Sequence, residues 1–175
     1  MIFKKMYNIK LHFAHADEID FNEKRVAEGI VAVDVTTGVF EGIVNHLFVD
    51  DQKDHLVIGQ VNRDKETGNS LVFTEINNNF FPVKVYRQNA GEETGSVCHY
   101  AGGRFYNEGG KGLIVLSESS EKNYAKLTER INAFYESSSK EKKVLITTLR
   151  ERPLHLDYLG QTANNNGTAI TLSRF

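Results

Sequence analysis

The stretch that decides the fold is residues 55–76, HLVIGQVNRDKETGNSLVFTEI. Two runs rich in β-branched and aliphatic residues, 55–61 and 70–76, flank the polar, glycine-containing segment 62–69. Runs of this kind on either side of a short polar connection are typical of a β-hairpin. The chain is therefore expected to contain antiparallel β-structure.

Strand patterns continue on both sides of this hairpin. Near the N-terminus, Tyr7, Ile9, Leu11 and Phe13 alternate with polar residues, which predicts a half-buried strand. Other short apolar or alternating runs, bounded by polar turns, predict further strands at 29–35, 39–49, 80–86, 96–100, 104–106, 113–116, 144–149 and 169–172.

Residues 120–136 predict one long helix. Its apolar positions recur at helical spacing and so fall on one face: Tyr124, Leu127, Ile131, Phe134 and Tyr135. Ser119 or Ser120 is the expected N-cap. The predicted fold is a single α+β domain over residues 1–175, a mostly antiparallel and strongly bent sheet or half-open barrel packed on this one helix. The unit 113–149 is an alternative parallel crossover.

The charge balance argues against nucleic acid as a general partner. The chain carries 21 basic and 23 acidic residues, a net charge of −2, whereas nucleic-acid binders depend on phosphate neutralisation. The single cysteine, Cys98, excludes an internal disulfide and a cysteine-based zinc site. We find no signal peptide and no apolar run long enough to span a membrane. A cytoplasmic protein is expected.

A glycine-rich segment is the candidate ligand site. Glycine lacks Cβ, so the Gly102-Gly103 turn lets the backbone approach a ligand closely. Arginine presents a planar fork suited to phosphate or carboxylate, and histidine and tyrosine supply hydrogen bonds. The structural alternative is a plain hairpin with bulges. The predicted ligand-binding residues are His99, Tyr100, Gly102, Gly103, Arg104, Tyr106 and Lys111.

The histidines do not predict a metal site. His12 and His15 lie three apart on an inferred strand, so their side chains are expected on opposite faces. The remaining histidines are isolated in sequence, without the short spacing of zinc motifs: His46, His55, His99 and His155. No metal and no cofactor are therefore predicted.

One family resemblance bears on function. Gly102-Gly103-Arg104-Phe105, the later Gly109, an apolar strand, Ser117 and a helix carrying Glu129 resemble the core of RES-domain proteins, an NAD-consuming group related to ADP-ribosyltransferases. The resemblance implies that Arg104 binds dinucleotide phosphates and that Glu129 stabilises a ribosyl cation. The chain departs from the pattern, because Tyr106 precedes Asn107 where the asparagine is expected earlier.

The leading functional prediction is a binding domain without catalysis, which takes a small anionic, nucleotide-like molecule or a protein partner. The first alternative is an enzyme that processes NAD or another nucleotide through the RES-like Gly-Gly-Arg segment. The second is an assembly or inhibitor protein that acts through surface contacts, since sheet edges pair readily with other chains. Whether the protein is an enzyme stays open at this point, and so does self-association into a homo-oligomer.

Overall fold

The computed structural model describes residues 4–14, 26–47, 53–64, 66, 68–77, 83–88, 95–101 and 104–152. In these residues the chain forms strands first and helices last. The elements are β1 (Lys4–Ala14), β2 (Val26–Asp34), β3 (Val39–His46), β4 (His55–Asp64), β5 (Gly68–Ile76), β6 (Val83–Gln88), β7 (Gly95–Ala101), β8 (Arg104–Glu118), α1 (Tyr124–Ser137) and α2 (Lys140–Glu151).

The strands form a closed antiparallel barrel in sequence order. Each strand pairs with the next, and β8 returns to pair with β1 over the register Tyr7↔Glu118 to Ala14↔Lys111. The expected α+β class and strongly bent antiparallel sheet are confirmed in outline. Where a half-open barrel was one expectation, the pairing of β8 with β1 closes the sheet on itself.

Apolar side chains fill the barrel interior. An eight-stranded barrel is just wide enough for its inward-facing residues to occupy the space. The Phe73 ring stacks on Tyr86, with centroids 4.6 Å apart and planes 9° from parallel, and lies 6.0 Å from the Phe40 ring. The interior cluster is Ile9, Leu11, Ala27, Val31, Val33, Phe40, Val44, Val57, Phe73 and Tyr86.

A second apolar cluster joins both helices to the outer face of the barrel. α1 buries Leu127, Ile131 and Phe134, at steps of four and three residues. α2 contributes another buried face, and the strands supply the outward-facing partners Met6, Ala32, Ile43, Leu56, Ile58, Val72 and Ile76. Neither described helix has the length and apolarity needed to cross a membrane.

The prediction of a single helix is wrong, because residues 140–151 form α2 where a strand was expected at 144–149. The β-branched residues in this run favour a strand, but its buried positions Leu145, Ile146 and Leu149 follow helical spacing. Ser139 caps the helix by accepting a hydrogen bond from the Lys142 amide at 3.2 Å. Without a strand at this point, the proposed parallel crossover over 113–149 does not form.

The start of α1 also differs from the prediction. Its N-cap is Asn123, whose side chain accepts a hydrogen bond from the Ala125 amide at 3.0 Å. Ser119 instead closes the preceding turn, with its hydroxyl accepting from the Glu121 amide. The predicted strands 104–106 and 113–116 are parts of the single strand β8. The strand predicted at 169–172 lies outside the described residues.

Candidate metal centre

Three polar side chains enter one end of the barrel, where the other described interior residues are largely apolar. His46 is the last residue of β3, His55 the first of β4, and Glu75 the penultimate residue of β5. Successive residues of a strand point to opposite faces. His46 therefore shares the inner face with Val44, His55 with Val57, and Glu75 with Phe73. The side chains of His46, His55 and Glu75 therefore point into the barrel interior. They lie at the end of the barrel where β3 ends and β4 begins, and we call this end the His–Glu end.

Glu75 is the centre of this cluster. Its Oε1 contacts His46 Nε2 and lies 2.9 Å from His55 Nδ1. The Tyr86 hydroxyl donates to the other carboxylate oxygen, Oε2, at 2.8 Å. The centroids of the two imidazole rings lie 4.8 Å apart, and their planes are tilted by 44°. One carboxylate thus holds both histidines and the tyrosine in fixed positions.

The cluster is almost completely withdrawn from solvent. Glu75 is 3% exposed and His46 is 5% exposed, while the His55 side chain keeps 15% of its surface. A buried carboxylate is costly unless hydrogen bonds and an opposite charge compensate it. His46, His55 and Tyr86 are among the residues that contact the two carboxylate oxygens of Glu75.

The same donor set suits a metal ion. One ligand atom from each of His46, His55 and Glu75 lies within 4.8 Å of the other two. Two imidazole nitrogens with one carboxylate oxygen form a common three-ligand set for zinc, and also the facial triad of non-haem iron. Tyr86 would then act from the second shell, because it orients the carboxylate through Oε2.

A polar clamp on the outer face holds the residues next to both histidines. Arg130 of α1 donates to the Asp54 carboxylate, from Nε at 3.0 Å and from Nη2 at 2.7 Å. The same Nη2 reaches Asn45 Oδ1 at 3.2 Å. Asn45 Nδ2 in turn donates to Asp54 Oδ1 at 2.8 Å and to the Lys53 carbonyl at 3.0 Å. We refer to Arg130, Asp54 and Asn45 as the Arg130 clamp.

The clamp changes the ionisation of its carboxylate. Hydrogen bonds from Arg130 hold the pKa of Asp54 below its ordinary value, although partial burial opposes this shift. Because the pKa is lowered on folding, the pair stabilises the folded chain at neutral pH and loses that contribution as the pH falls through the lowered pKa. Elsewhere, burial lowers the pKa of Lys142, whose Nζ donates to the Asn77 carbonyl.

The predicted glycine-rich site falls on the β7–β8 hairpin. His99 and Tyr100 belong to β7, while Arg104, Tyr106 and Lys111 belong to β8. The side chains of these residues, and all of Gly102 and Gly103, lie outside the described residues. The backbone pairing includes a register shift between Val97 and Cys98, as the bulged-hairpin alternative expected.

Topology brings this hairpin to the same end of the barrel as the cluster. The strands alternate in direction, so the β3–β4, β5–β6 and β7–β8 connections share one end. In register, Glu75 pairs with Lys84 of β6, and Lys84 pairs with His99 of β7. The strand β6 therefore separates β7 from β5, and His99 lies in the register row of Glu75, whereas Lys111 pairs with Ser96 farther along the strands. Glu129, the acid of the RES-like alternative, is exposed on α1.

Sequence analysis missed the site because it treated His46 and His55 as isolated. A signal was present: His46, His55 and Glu75 each fall on the apolar face of a predicted strand, where a polar side chain is unusual. What the sequence does not contain is the strand order that brings these three positions together. Comparison of the chain with family models, with curated proteins and with solved structures gives no match.

Proposed function

We propose that the chain binds a divalent first-row transition-metal ion through His46, His55 and Glu75. The observation that carries the proposal is the convergence of one donor atom from each residue within 4.8 Å. These donors come from three different strands and stand inside a barrel whose other described interior residues are largely apolar. Binding at this place would tie together the ends of β3, β4 and β5.

The chemistry of the donors defines the class of ion. Imidazole and carboxylate ligands suit zinc, copper, iron and nickel, whereas calcium and magnesium prefer sites made of oxygen alone. Sites with four protein ligands are typically structural, while three ligands leave a position for water or a bound molecule. The N₂O set of this cluster belongs to the second kind.

The buried carboxylate gives an energetic reason for a cation. Glu75 is 3% exposed, and His46, His55 and the Tyr86 hydroxyl contact its two carboxylate oxygens. A divalent ion would compensate the negative charge at short range, where the low dielectric strengthens the attraction. The competing explanation is a purely structural hydrogen-bonded cluster, which predicts no specific uptake of metal.

Binding of a small anionic molecule remains part of the proposal. A metal ion with three protein ligands completes its coordination with water or an anion. The connection between β7 and β8 lies at the His–Glu end, which supports placing the predicted anion-binding segment near the cluster. Processing of a nucleotide and binding of a protein partner stay as alternative proposals.

The test is a metal titration of the purified chain. The protein is stripped with a chelator and titrated with Co²⁺, whose visible absorption reports coordination, and then with Zn²⁺ in competition. We expect one equivalent to bind, and zinc at 100 times its dissociation constant to raise the unfolding free energy by about 2.7 kcal/mol. Failure of the wild-type chain to take up either ion would contradict the proposal.

Variants identify the ligands. We expect His55→Ala and Glu75→Gln each to weaken Co²⁺ binding by more than about 100-fold, which exceeds the usual cost of losing an outer-shell partner. His12→Ala is the matched control, because His12 lies on β1 at the face opposite to buried Leu11 and outside the cluster. Equal losses in the control and in the cluster variants would place the metal elsewhere.

A further inference from the structure

The residues that adjoin the two histidine ligands, Asn45 and Asp54, are joined by side-chain contacts to each other and to Arg130 of the helix α1. We infer that Arg130 of α1 is a positioning residue for the metal centre, so that docking of α1 on the barrel and metal binding are coupled. This inference rests on the proposed metal binding by His46, His55 and Glu75. It adds a means of regulating that site from outside the barrel.

The backbone ladder between β3 and β4 stops short of one ligand. Its last described pair at this end is Val44↔His55, so His46 lies two residues beyond the register that joins the two strands. His46 is paired on its other side, with Ala27 of β2. Besides the shared contact with Glu75, its position relative to His55 is therefore set by what joins β3 to β4 past the end of the ladder.

The Arg130 clamp provides that connection. Arg130 reaches the Asp54 carboxylate with two nitrogens, at 2.7 and 3.0 Å, and Asn45 with one of them at 3.2 Å. Asn45 also bonds directly to Asp54 at 2.8 Å. Each of the three side chains contacts the other two, so the clamp resists both separation and sliding of the strand ends. A planar guanidinium suits this geometry, whereas an ammonium group lacks the fork.

The position of the clamp residues affects the position of the ligands, because each clamp residue on the strands is the sequence neighbour of a histidine ligand. Asn45 directly precedes His46, and Asp54 directly precedes His55. Neighbours on a strand project to opposite faces, so the outer clamp and the inner ligands share the same two short segments of backbone. A shift of the outer pair must therefore move the ligand atoms, and metal affinity is sensitive to how ligands are oriented by their surroundings.

Docking of α1 positions Arg130. Leu127 and Phe134, three residues before it and four after it, are buried against the barrel. When this face is docked, Arg130 lies over the ends of β3 and β4. If α1 leaves the barrel, the clamp loses Arg130 and is reduced to the contacts of Asn45 with Lys53 and Asp54. By linkage, metal binding must then favour the docked helix to the same degree that docking favours metal binding.

The chain offers a matched control in α2. Arg150 makes a similar bidentate contact with Glu41 of β3, with Nη2 at 2.6 Å and Nε at 3.1 Å from Oε1. This pair also joins a helix to the outer face of the barrel, and its arginine is of similar exposure to Arg130. Glu41, however, lies five residues before His46 and adjoins no ligand.

The first part of the test compares Co²⁺ affinities of the full chain. We expect Arg130→Gln to weaken binding by about 10- to 100-fold, the range for loss of an outer-shell partner. Arg130→Lys should recover part of that loss, because it keeps the charge without the fork. Arg150→Gln should stay within about twofold of the wild type. Affinities for both glutamine variants within twofold of each other would overturn the inference.

The second part measures a property that a merely stabilising ion pair would not change. Amide hydrogen exchange in α1 is followed with and without Zn²⁺. We expect zinc to slow exchange in α1 in the wild type and in Arg150→Gln, and to lose this effect in Arg130→Gln. Equal slowing in Arg130→Gln would overturn the coupling.

The two proposals fail in different ways. A wild-type chain that binds neither Co²⁺ nor Zn²⁺ removes the metal centre and the coupling together. A wild-type chain that binds metal, with Arg130→Gln unchanged in affinity, removes only the role of Arg130 and leaves the proposed function standing.

Discussion

Tyr86 both packs in the apolar core and forms a hydrogen bond to the buried Glu75 carboxylate. Its ring stacks on Phe73 in the barrel interior, and its hydroxyl donates to the buried Glu75 carboxylate at 2.8 Å. We expect Tyr86→Phe to lower the unfolding free energy by about 1–3 kcal/mol, because a hydrogen bond to a buried carboxyl oxygen is lost while the stack remains. Tyr86→Ala should cost about 3–5 kcal/mol, since a cavity forms as well.

Urea denaturation in chelator-containing buffer measures both changes. Using metal-free protein separates the hydrogen bond from any contribution of a bound ion. A Tyr86→Phe variant as stable as the wild type would mean that this hydroxyl does not stabilise the buried carboxylate.

The residue scale also explains what sequence analysis could and could not reveal about the site. Polar residues at core-facing positions of strands are readable from alternation alone, and Glu75 beside Phe73 is the clearest case. The partners of Glu75 are not readable, because His46 and His55 lie 29 and 20 positions away in sequence. Only the register of three strands brings these atoms together.

At the scale of elements, the two helices depend on caps that differ from those expected. α1 begins after Asn123, which accepts a hydrogen bond from the Ala125 amide, and Ser120 is exposed in the preceding segment. We expect Asn123→Ala to lower the unfolding free energy by about 1 kcal/mol, the usual cost of losing an N-cap. Ser120→Ala is the control and should change it by less than about 0.5 kcal/mol. If thermal or urea unfolding showed a larger loss of stability for Ser120→Ala than for Asn123→Ala, the serine would be the N-cap instead.

The helix α2 marks the limit of pattern reading at this scale. Val144, Ile146, Thr147 and Thr148 are β-branched, and a short apolar run cannot by itself distinguish a strand from a buried helix. Tertiary packing decides the outcome, because Leu145, Ile146 and Leu149 complete the outer cluster with α1. The apolar pattern of α1 extends over more turns, so it predicts the helix at the correct place, although the helix begins at Tyr124 and not at residue 120.

At the scale of the whole molecule, the barrel requires close contact between strands. A Cβ added at Gly42 of β3 would lie 2.2 Å from the Ile30 carbonyl oxygen and 2.6 Å from the Val31 Cα, both in the backbone of β2. We expect Gly42→Ala to cost about 1–3 kcal/mol, because the strands must move apart. Wild-type stability of this variant in urea denaturation would contradict the close approach of β2 and β3.

Closure of the sheet lies beyond what the sequence alone could establish. Local hairpins such as β4–β5 follow from turn chemistry, but β1 and β8 are about a hundred residues apart, and pairing at such a separation leaves no local pattern. The expected cytoplasmic location, the homo-oligomer and the anionic ligand stay predictions. The metal centre has its place because the closed barrel brings the ends of β3, β4 and β5 together.

The measurement that tests the central claim most directly is zinc K-edge X-ray absorption of the wild-type chain loaded with one equivalent of Zn²⁺. The account predicts two imidazole nitrogens and one carboxylate oxygen at about 2.0–2.2 Å, with a further light ligand from solvent. The imidazole contribution should fall in His55→Ala and stay unchanged in His12→Ala. A spectrum of zinc surrounded by oxygen alone, or one that is the same in all three proteins, would contradict a metal centre built from His46, His55 and Glu75.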